Sequence, residues 1–401
     1  MCDCPQTRTQ AATAPPWPDV QNASGVGPPR APLGRRPSVP LPAKRPGEPM
    51  LPDAESFRRL VDGRQRGPAA TVLRAGLTLA SWPYAAAVGL RNRAFDAEIV
   101  RVDRPPLPVV SVGNLTVGGT GKTPLVAWLA AHAAARGWRP AIVSRGYGAA
   151  AGQLSDEAAE LGLLVPGVPH HASRRRIEAV EAAERGGATL AILDDGFQHR
   201  RLARSVNLLV IDATDPFGCG RLLPRGLLRE PLGSIARADG IVLTRADRVS
   251  DATRHQIQKA CWRHLGRRQV PWFETAHRPR ELRSADGQTL PLGHLAGRSI
   301  YGFSGIGNPA PFRASLEEQA ATLVGFATFP DHHPYSAADV SLLADKAAAA
   351  GADLAVTTLK DLVKLPPTGL GEIPLVAVVI GLEFTSDTGD PEQLLAGLPE
   401  P

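Results

Sequence analysis

Hydrophobic positions between residues 105 and 275 come in short continuous runs, separated by segments with helical periodicity. Continuous apolar runs of about five residues are typical of strands that are buried on both faces, and the segments between them are typical of crossover helices. The predicted strands and helices are strands over 108–112, 140–144, 188–193, 206–211 and 240–244, and helices over 123–136 and 173–185. The pattern therefore predicts an α/β fold with a doubly wound parallel sheet.

The alternation of strands and helices restarts after about residue 275. The predicted elements are strands over 299–304, 324–329 and 354–358, and helices over 310–323 and 336–350. This second series predicts a smaller C-terminal α/β lobe over 276–401, after a core over 105–275.

The first 50 residues differ in composition from the rest of the chain. They contain twelve prolines and show no apolar period, so we expect a disordered tail. Met50 is the second of only two methionines and stands where folded composition begins. We therefore expect the native start near Met50, with residues 1–50 dispensable or not translated.

Residues 68–90 are apolar and lie in a predicted N-terminal helical segment, 51–104. Only sixteen residues between Arg74 and Arg91 lack charge, fewer than the roughly twenty that a spanning helix needs, and Pro83 is expected to break the stretch. The flanking arginines are at 58, 59, 64, 66, 91 and 93. Two readings stay open and are compatible: a segment lying in the interface of an anionic membrane, or a helix packed on the protein's own core.

Charge and cysteine content narrow the class of protein. The net charge is +6, but half of it lies in residues 1–50, which leaves too little positive charge to indicate a nucleic-acid partner. The four cysteines, at 2, 4, 219 and 261, are too scattered for a disulfide framework and indicate a reducing compartment. Nothing in the sequence predicts an obligate protein partner.

A glycine-rich loop follows the apolar strand 108–112. It reads Gly118-Gly119-Thr120-Gly121-Lys122-Thr123 and opens the helix over 123–136. Such a loop can direct backbone N–H groups, a lysine and a helix N-terminus at a polyphosphate, and its hydroxyl can reach Mg²⁺. Thr116 stands where the strict Gly-x4-Gly-Lys-Thr pattern has glycine. The loop predicts a P-loop NTPase-like core, and the alternative is a glycine turn that binds no ligand.

Acidic residues occur at two further places. Asp194 and Asp195 end the apolar strand 188–193, where a carboxylate next to a phosphate loop can hold Mg²⁺, although such acids also serve as local caps. Asp156 lies in a predicted loop and could accept a proton from an attacking hydroxyl, although most acids in loops are solvated or cap a helix.

Basic residues cluster in two loops. Arg229 and Glu230 belong to an arginine-rich loop that suits anion contacts or is simply solvated. His332 and His333 follow Asp331 in a turn after a strand. Because adjacent histidines cannot easily share one metal ion, we favour a catalytic or orienting role over zinc.

Seven motifs, in this order, resemble the tetraacyldisaccharide 4′-kinase family of lipid A biosynthesis over roughly residues 60–365. They are Gly-Asn-Leu-Thr-Val-Gly-Gly-Thr-Gly-Lys-Thr-Pro, Ser-Arg-Gly-Tyr-Gly, Ser-Asp-Glu, Asp-Asp-Gly-Phe-Gln-His-Arg, Leu-Leu-Arg-Glu-Pro, Phe-Ser-Gly-Ile-Gly-Asn-Pro and Phe-Pro-Asp-His-His-Pro-Tyr. The resemblance implies a kinase on the cytoplasmic face of the bacterial inner membrane, peripheral or monotopic, that uses ATP and Mg²⁺. It would phosphorylate the 4′-hydroxyl of tetraacyldisaccharide 1-phosphate and give lipid IVA.

The resemblance also implies roles for individual residues. Asp156 would be the base, oriented by His332, and Arg229 and Glu230 would lie near the transferred phosphate. Mg²⁺ would be held by Thr123, Asp194 and Asp195. The residues that would hold ATP are Thr116, Val117, Gly118, Gly119, Thr120, Gly121, Lys122 and Thr123. One departure is Leu359, which stands where the family usually shows glutamate in Thr-Glu-Lys-Asp.

Two alternatives share the loop and the paired aspartates. The first alternative is a P-loop ATPase or GTPase that acts as a switch or as a metallochaperone. A metallochaperone should show a Cys/His metal cluster, but Cys219 and Cys261 are isolated. A soluble carboxylate-activating ligase is the other, and it leaves the arginine-rich loop and the apolar segment 68–90 unexplained.

Overall fold

The computed structural model describes residues 54–146, 155–319, 321–385 and 390–400. The predictions for the tail over 1–50 and for the end of the Ser-Arg-Gly-Tyr-Gly motif lie outside these residues. The helices are α1 Ala54–Val61, α2 Pro68–Asp96, α3 Lys122–Ala135, α4 Asp156–Leu164, α5 Arg176–Arg185, α6 Asp251–Leu265, α7 Ala310–Glu317, α8 Ala337–Ala349 and α9 Leu359–Leu362. The strands are β1 Val109–Gly113, β2 Pro140–Ser144, β3 His170–Ala172, β4 Leu190–Asp194, β5 Val206–Asp212, β6 Gly240–Thr244, β7 Trp272–Ser284, β8 Thr289–Pro291, β9 Ser299–Ser304, β10 Thr322–Thr328, β11 Leu354–Thr358 and β12 Leu375–Phe384.

Within the described residues, all strands belong to one sheet in the order β10-β9-β11-β12-β7-β6-β5-β1-β4-β2-β3, with β8 paired to β7. Strands β1 to β6 pair in parallel, and β7 joins β6 in parallel but β12 in antiparallel fashion. Strand β1 lies between β4 and β5. The loop after β1 and the acids that end β4 therefore lie at the same carboxyl edge of the sheet, where ligands of open α/β sheets bind.

Helices cover both faces of the parallel part of the sheet, which confirms the predicted α/β class. Leu125 and Leu129 of α3 pack with Ile192 on one face, and Ile257 of α6 packs with Leu209 on the other. Strands β1, β2, β4, β5 and β6 are buried along their whole length, which explains their continuous apolar sequence.

Helix α4 packs on both halves of the sheet. Its Leu161 is buried in the cluster that contains α3, and its Leu163 and Leu164 pack against a second cluster that contains Tyr301 and Phe303 of β9. Because both faces of this short helix are committed to packing, its N-terminus is held between the two series of strands.

The structure corrects several predicted elements. Asp156 begins helix α4 rather than lying in a loop, and the helix predicted over 310–323 ends at Glu317. The helix predicted over 173–185 is present as α5, and the short strand β3 before it was not predicted. The antiparallel pair β7 and β12 was not predicted. Since β7 runs through residue 275, the proposed boundary between core and lobe falls inside a strand.

Pro83 does not break the apolar segment 68–90. It lies inside α2, which runs unbroken for 29 residues. No helix among the described residues is long and apolar enough to cross a membrane.

Helix α2 has two apolar faces. Ala70, Val88 and Asn92 are buried against the protein. Val72, Leu79 and Leu90 are 72%, 60% and 70% exposed, and at 3.6 residues per turn they share a stripe on the opposite side. Both readings of residues 68–90 therefore fit: one face packs on the core, and an apolar stripe is open to the surroundings.

Candidate active site

The glycine-rich loop joins β1 to α3 in the geometry that the sequence predicts. Gly118 and Gly121 have φ values of 117° and 79°, which glycine adopts readily and other residues rarely do. The Val117 N–H donates to the Leu227 carbonyl oxygen at 2.8 Å. The Val117 amide is therefore engaged by the arginine-rich loop, and any contact of this residue with nucleotide would need another group.

The turn at Gly121 is closed from behind by His277 of β7, which the sequence analysis missed. A Cβ atom on Gly121 would lie 2.2 Å from the Cε1 atom of His277. Burial and, to a smaller extent, the nearby Arg245 charge lower the pKa of His277 to about 3, so the ring is neutral at physiological pH. The imidazole thus supports the loop as an uncharged wall, and this position tolerates only glycine.

The rest of the loop presents unused donors. Among the described residues, no backbone carbonyl accepts from the amides of residues 118–121. The Thr120 hydroxyl is buried without a hydrogen-bond partner in the described part of the chain, while the Thr120 carbonyl accepts from Thr244 at 2.8 Å. Converging unpaired N–H groups at a helix N-terminus suit a polyphosphate.

Asp194 and Asp195 stand at the end of β4 beside Lys122. Desolvation raises the pKa of Asp194 to about 6, although the Lys122 charge opposes the rise, and Oδ1 of Asp194 is buried without a hydrogen-bond partner among the described residues. Lys122 Nζ lies 3.4 Å from Asp195 Oδ1 and 3.1 Å from Asn114 Oδ1. An unpartnered carboxylate oxygen next to a phosphate loop is a fitting ligand for Mg²⁺. Thr123, whose hydroxyl is the other predicted ligand of this loop, is the second residue of α3.

Arg229 holds the second aspartate with both arms of its guanidinium. Its Nη1 and Nη2 atoms donate to Asp195 Oδ2 at 2.8 Å and Oδ1 at 2.9 Å. Burial would raise the pKa of Asp195, but the hydrogen bonds from Arg229 and the charge of Lys122 outweigh it, so the pKa lies well below its usual range. Arg229 and Lys122 of the phosphate loop therefore contact the same carboxylate.

Glu230 takes a different place from its neighbour. Its carboxylate is fully buried and accepts from Arg91 of α2 and from Arg237, so its contacts are with these two arginines and not with the glycine-rich loop. The expectation that it lies near a transferred phosphate has no support in these contacts. Tyr84 of α2 donates to the Arg229 carbonyl oxygen at 2.9 Å. Glu230 and Tyr84 thus tie α2 to the loop that carries Arg229.

Asp156 and His332, 176 positions apart, are in contact. Asp156 is the first residue of α4, after Ser155, whose hydroxyl accepts from the Ala158 N–H at 3.3 Å. Its Oδ2 atom lies 3.1 Å from His332 Nδ1. His332 has φ of 58°, which turns its ring toward α4 while His333 pairs with Asp339 at 3.2 Å. The structure therefore separates the roles of the two adjacent histidines.

Charges on α4 connect this pair to the phosphate loop. The Glu157 carboxylate, next to Asp156, contributes to the raised pKa of Asp194 after desolvation. Desolvation also raises the pKa of Glu160, one turn further along α4, to about 7, with Lys360 opposing the rise and Asp194 adding to it. The first turns of α4, which begin at Asp156, therefore lie near enough to the acid at the end of β4 to affect its pKa. In the described part of the chain, no group of three or more His, Cys, Asp or Glu side chains is placed to hold a metal ion.

These features define a P-loop nucleotide-binding protein. A strand at the centre of a parallel sheet leads into a glycine-rich loop and a helix that begins with Lys-Thr, and two acids lie at the end of the neighbouring strand. Residues 73–398 match the family model described as tetraacyldisaccharide-1-P 4′-kinase. A tetraacyldisaccharide 4′-kinase of Syntrophus aciditrophicus is 40% identical over 324 residues, 75% of this chain and 86% of that protein. One of Anaeromyxobacter dehalogenans is 40% identical over 321 residues, 75% and 84% of the two chains.

A solved structure agrees with these relatives. The crystal structure titled as the "apo" form of LpxK from Aquifex aeolicus in complex with ATP superposes with a TM-score of 0.62 at 30% identity, and covers 79% of this chain and 96% of that one. The chain belongs to the tetraacyldisaccharide 4′-kinase family, and the resemblance expected from the seven motifs is confirmed. It is a kinase.

Proposed function

We propose that this chain transfers the γ-phosphate of ATP to the 4′-hydroxyl of tetraacyldisaccharide 1-phosphate and so produces lipid IVA. The observation that carries the proposal is the contact between Asp156 and His332, in a chain that has a phosphate loop and is 40% identical to kinases of that name. A phosphate loop alone serves many reactions, but a sugar hydroxyl needs an acceptor for its proton.

Asp156 acts as the base in this proposal. His332 holds Oδ2 at 3.1 Å, which leaves the other carboxylate oxygen for the substrate hydroxyl. Lys122 and Arg229, which share Asp195, supply positive charge where negative charge moves between phosphoryl oxygens. The remainder of the catalysis is alignment of the two reactants.

Mg²⁺ is the metal that these residues fit. Asp194 offers the unpartnered Oδ1 atom, and Thr123 and Asp195 are the other candidate ligands. When bound, the ion would neutralise charge on the β- and γ-phosphates.

Helix α2 is the part of the chain that we propose meets the membrane, at the cytoplasmic face of the inner membrane. Its exposed stripe of Val72, Leu79 and Leu90 gives an apolar face, and arginines flank its apolar stretch over 68–90. This combination suits a helix lying in the interface of anionic lipid. A helix in that position would bring a lipid substrate to the loop that Tyr84 contacts.

Vesicle sedimentation tests the membrane assignment. Leu79→Glu with Leu90→Glu should reduce binding to anionic vesicles, while Leu342→Glu, at an exposed leucine of α8, should not. Equal vesicle binding by both variants would show that α2 does not contact the membrane.

The reaction is tested by following labelled γ-phosphate from ATP into tetraacyldisaccharide 1-phosphate in mixed micelles. The protein should begin at Met50, with Lys122→Ala as the blank. We expect a labelled lipid that the blank does not form. If the protein hydrolysed ATP but formed no labelled lipid, and the Lys122→Ala blank did not hydrolyse ATP, the lipid assignment would be overturned and an ATPase switch favoured.

A further inference from the structure

Lys360 makes contacts that the proposed reaction does not use. Its Nζ atom lies 3.2 Å from His332 Nε2 and 3.1 Å from Asp331 Oδ1. His332 thus has a partner on each ring nitrogen, with Asp156 on the opposite side at Nδ1.

The chemistry of these partners fixes the position of the imidazole proton. A lysine ammonium group can only donate, and an ionised carboxylate can only accept. Nε2 of His332 must therefore carry the lone pair and accept from Lys360, while Nδ1 carries the hydrogen and donates to Asp156. The three groups form one chain of hydrogen bonds with a single direction, from Lys360 to Asp156.

The neighbours of Lys360 in α9 hold its backbone in place. Asp361 is fully buried and accepts from the Gly305 N–H at 2.9 Å and from Lys364 Nζ at 2.8 Å. Leu359, on the other side, is only 4% exposed and packs in the hydrophobic cluster of β9 and β11. With both neighbours anchored, the backbone at Lys360 is held in place, and its ammonium group contacts the Asp331–His332 turn.

We propose that Lys360 is a positioning residue for phosphoryl transfer, because its ammonium group holds His332 in the Nδ1–H tautomer that orients the Asp156 carboxylate. This inference rests on the proposed function, in which Asp156 is the base. It also limits the role of His332: with Nε2 occupied, the ring orients the base, and the proton taken from the substrate hydroxyl stays on Asp156 and does not pass through the ring.

Kinetics provide the first test. Lys360→Met should lower kcat roughly 10- to 100-fold, less than the 10²–10⁴ of a lost base, and leave the KM for ATP unchanged. In a His332→Ala background the same change should have no further effect, because the group that it positions is gone. Lys346→Met, on the exposed side of α8, is the matched control. If Lys360→Met lowered kcat in the His332→Ala background by the same factor as in the wild type, the proposal would be overturned.

The tautomer itself is the second test, and it is independent of any lipid product. Nitrogen NMR of protein labelled in its histidine rings, with His332→Gln to assign the signal, should show Nδ1–H in the wild type and a shift toward Nε2–H in Lys360→Met. Lys360→Arg, which keeps a donor, should retain Nδ1–H. An unchanged tautomer in Lys360→Met would refute the inference even if the lipid is phosphorylated, and absence of lipid product with the expected tautomer shift would refute only the proposed reaction.

Discussion

Glu230→Gln removes the charge that joins α2 to the rest of the protein. The wild-type carboxylate is fully buried between Arg91 and Arg237, whose side chains are 41% and 20% exposed. Removing one partner of a buried ion pair costs about 3–5 kcal/mol, because the remaining charges lose their counterion. Arg91 is open to solvent, which screens its share, so we expect the lower end of that range, about 3 kcal/mol.

Urea unfolding followed by circular dichroism measures the loss of stability as a lower midpoint at unchanged slope. The matched control is Glu178→Gln, whose exposed partner is Arg175 at 2.6 Å and whose loss should cost less than about 1 kcal/mol. Equal shifts of the midpoint for the two variants would refute the argument that a buried ion pair anchors α2.

The contribution of Glu230 also has a defined dependence on pH. Burial would raise its pKa, but Arg237 and Arg91 outweigh burial and lower it from 4.5. Its stabilisation is therefore present above the unfolded value and is lost as the pH falls through the lower folded value. The difference in stability between wild type and Glu230→Gln should shrink below about pH 4.5, and a difference that grows in acid would contradict this sign.

Two further changes test the phosphate loop and its link to α2. Gly121→Ala should weaken ATP binding at least tenfold, since its Cβ would clash with His277 at a left-handed φ. Gly293→Ala, outside the loop and with open space and an ordinary φ, should bind ATP nearly normally. Titration with a fluorescent ATP analogue compares the two variants, and equal affinities would contradict the clash. Tyr84→Phe removes the hydrogen bond to the Arg229 carbonyl. It should lower kcat in the lipid assay about fivefold, which is equivalent to about 1 kcal/mol. An unchanged kcat would show that this contact of α2 does not contribute to catalysis.

The sequence predicts the parallel core well because its strands are buried on both faces. Continuous apolar runs mark β1, β2, β4, β5 and β6, and the glycine-rich loop follows the first of them. Strand β7 was missed because its second half, from His277 to Ser284, is largely polar and half-exposed, and its pairing with β12 depends on contacts about 100 positions apart. Local pattern does not contain such pairings.

The candidate site residues were predictable by type, and the family resemblance paired Asp156 with His332, but the geometry of the pair was not predictable. The packing of α4 on two clusters brings the two side chains to 3.1 Å. Glu230 shows the converse. Its motif suggested phosphate, and only the positions of Arg91 and Arg237 reveal a buried anchor.

The measurement that tests the central claim most directly is single-turnover phosphate transfer by Asp156→Asn, with the ATP dissociation constant measured on the same protein. If the phosphate loop binds ATP and Asp156 accepts the proton, turnover should fall about 10²–10⁴-fold while ATP affinity stays near that of the wild type. Lys122→Ala should lose both. An Asp156→Asn enzyme that turns over at nearly the wild-type rate would contradict the account.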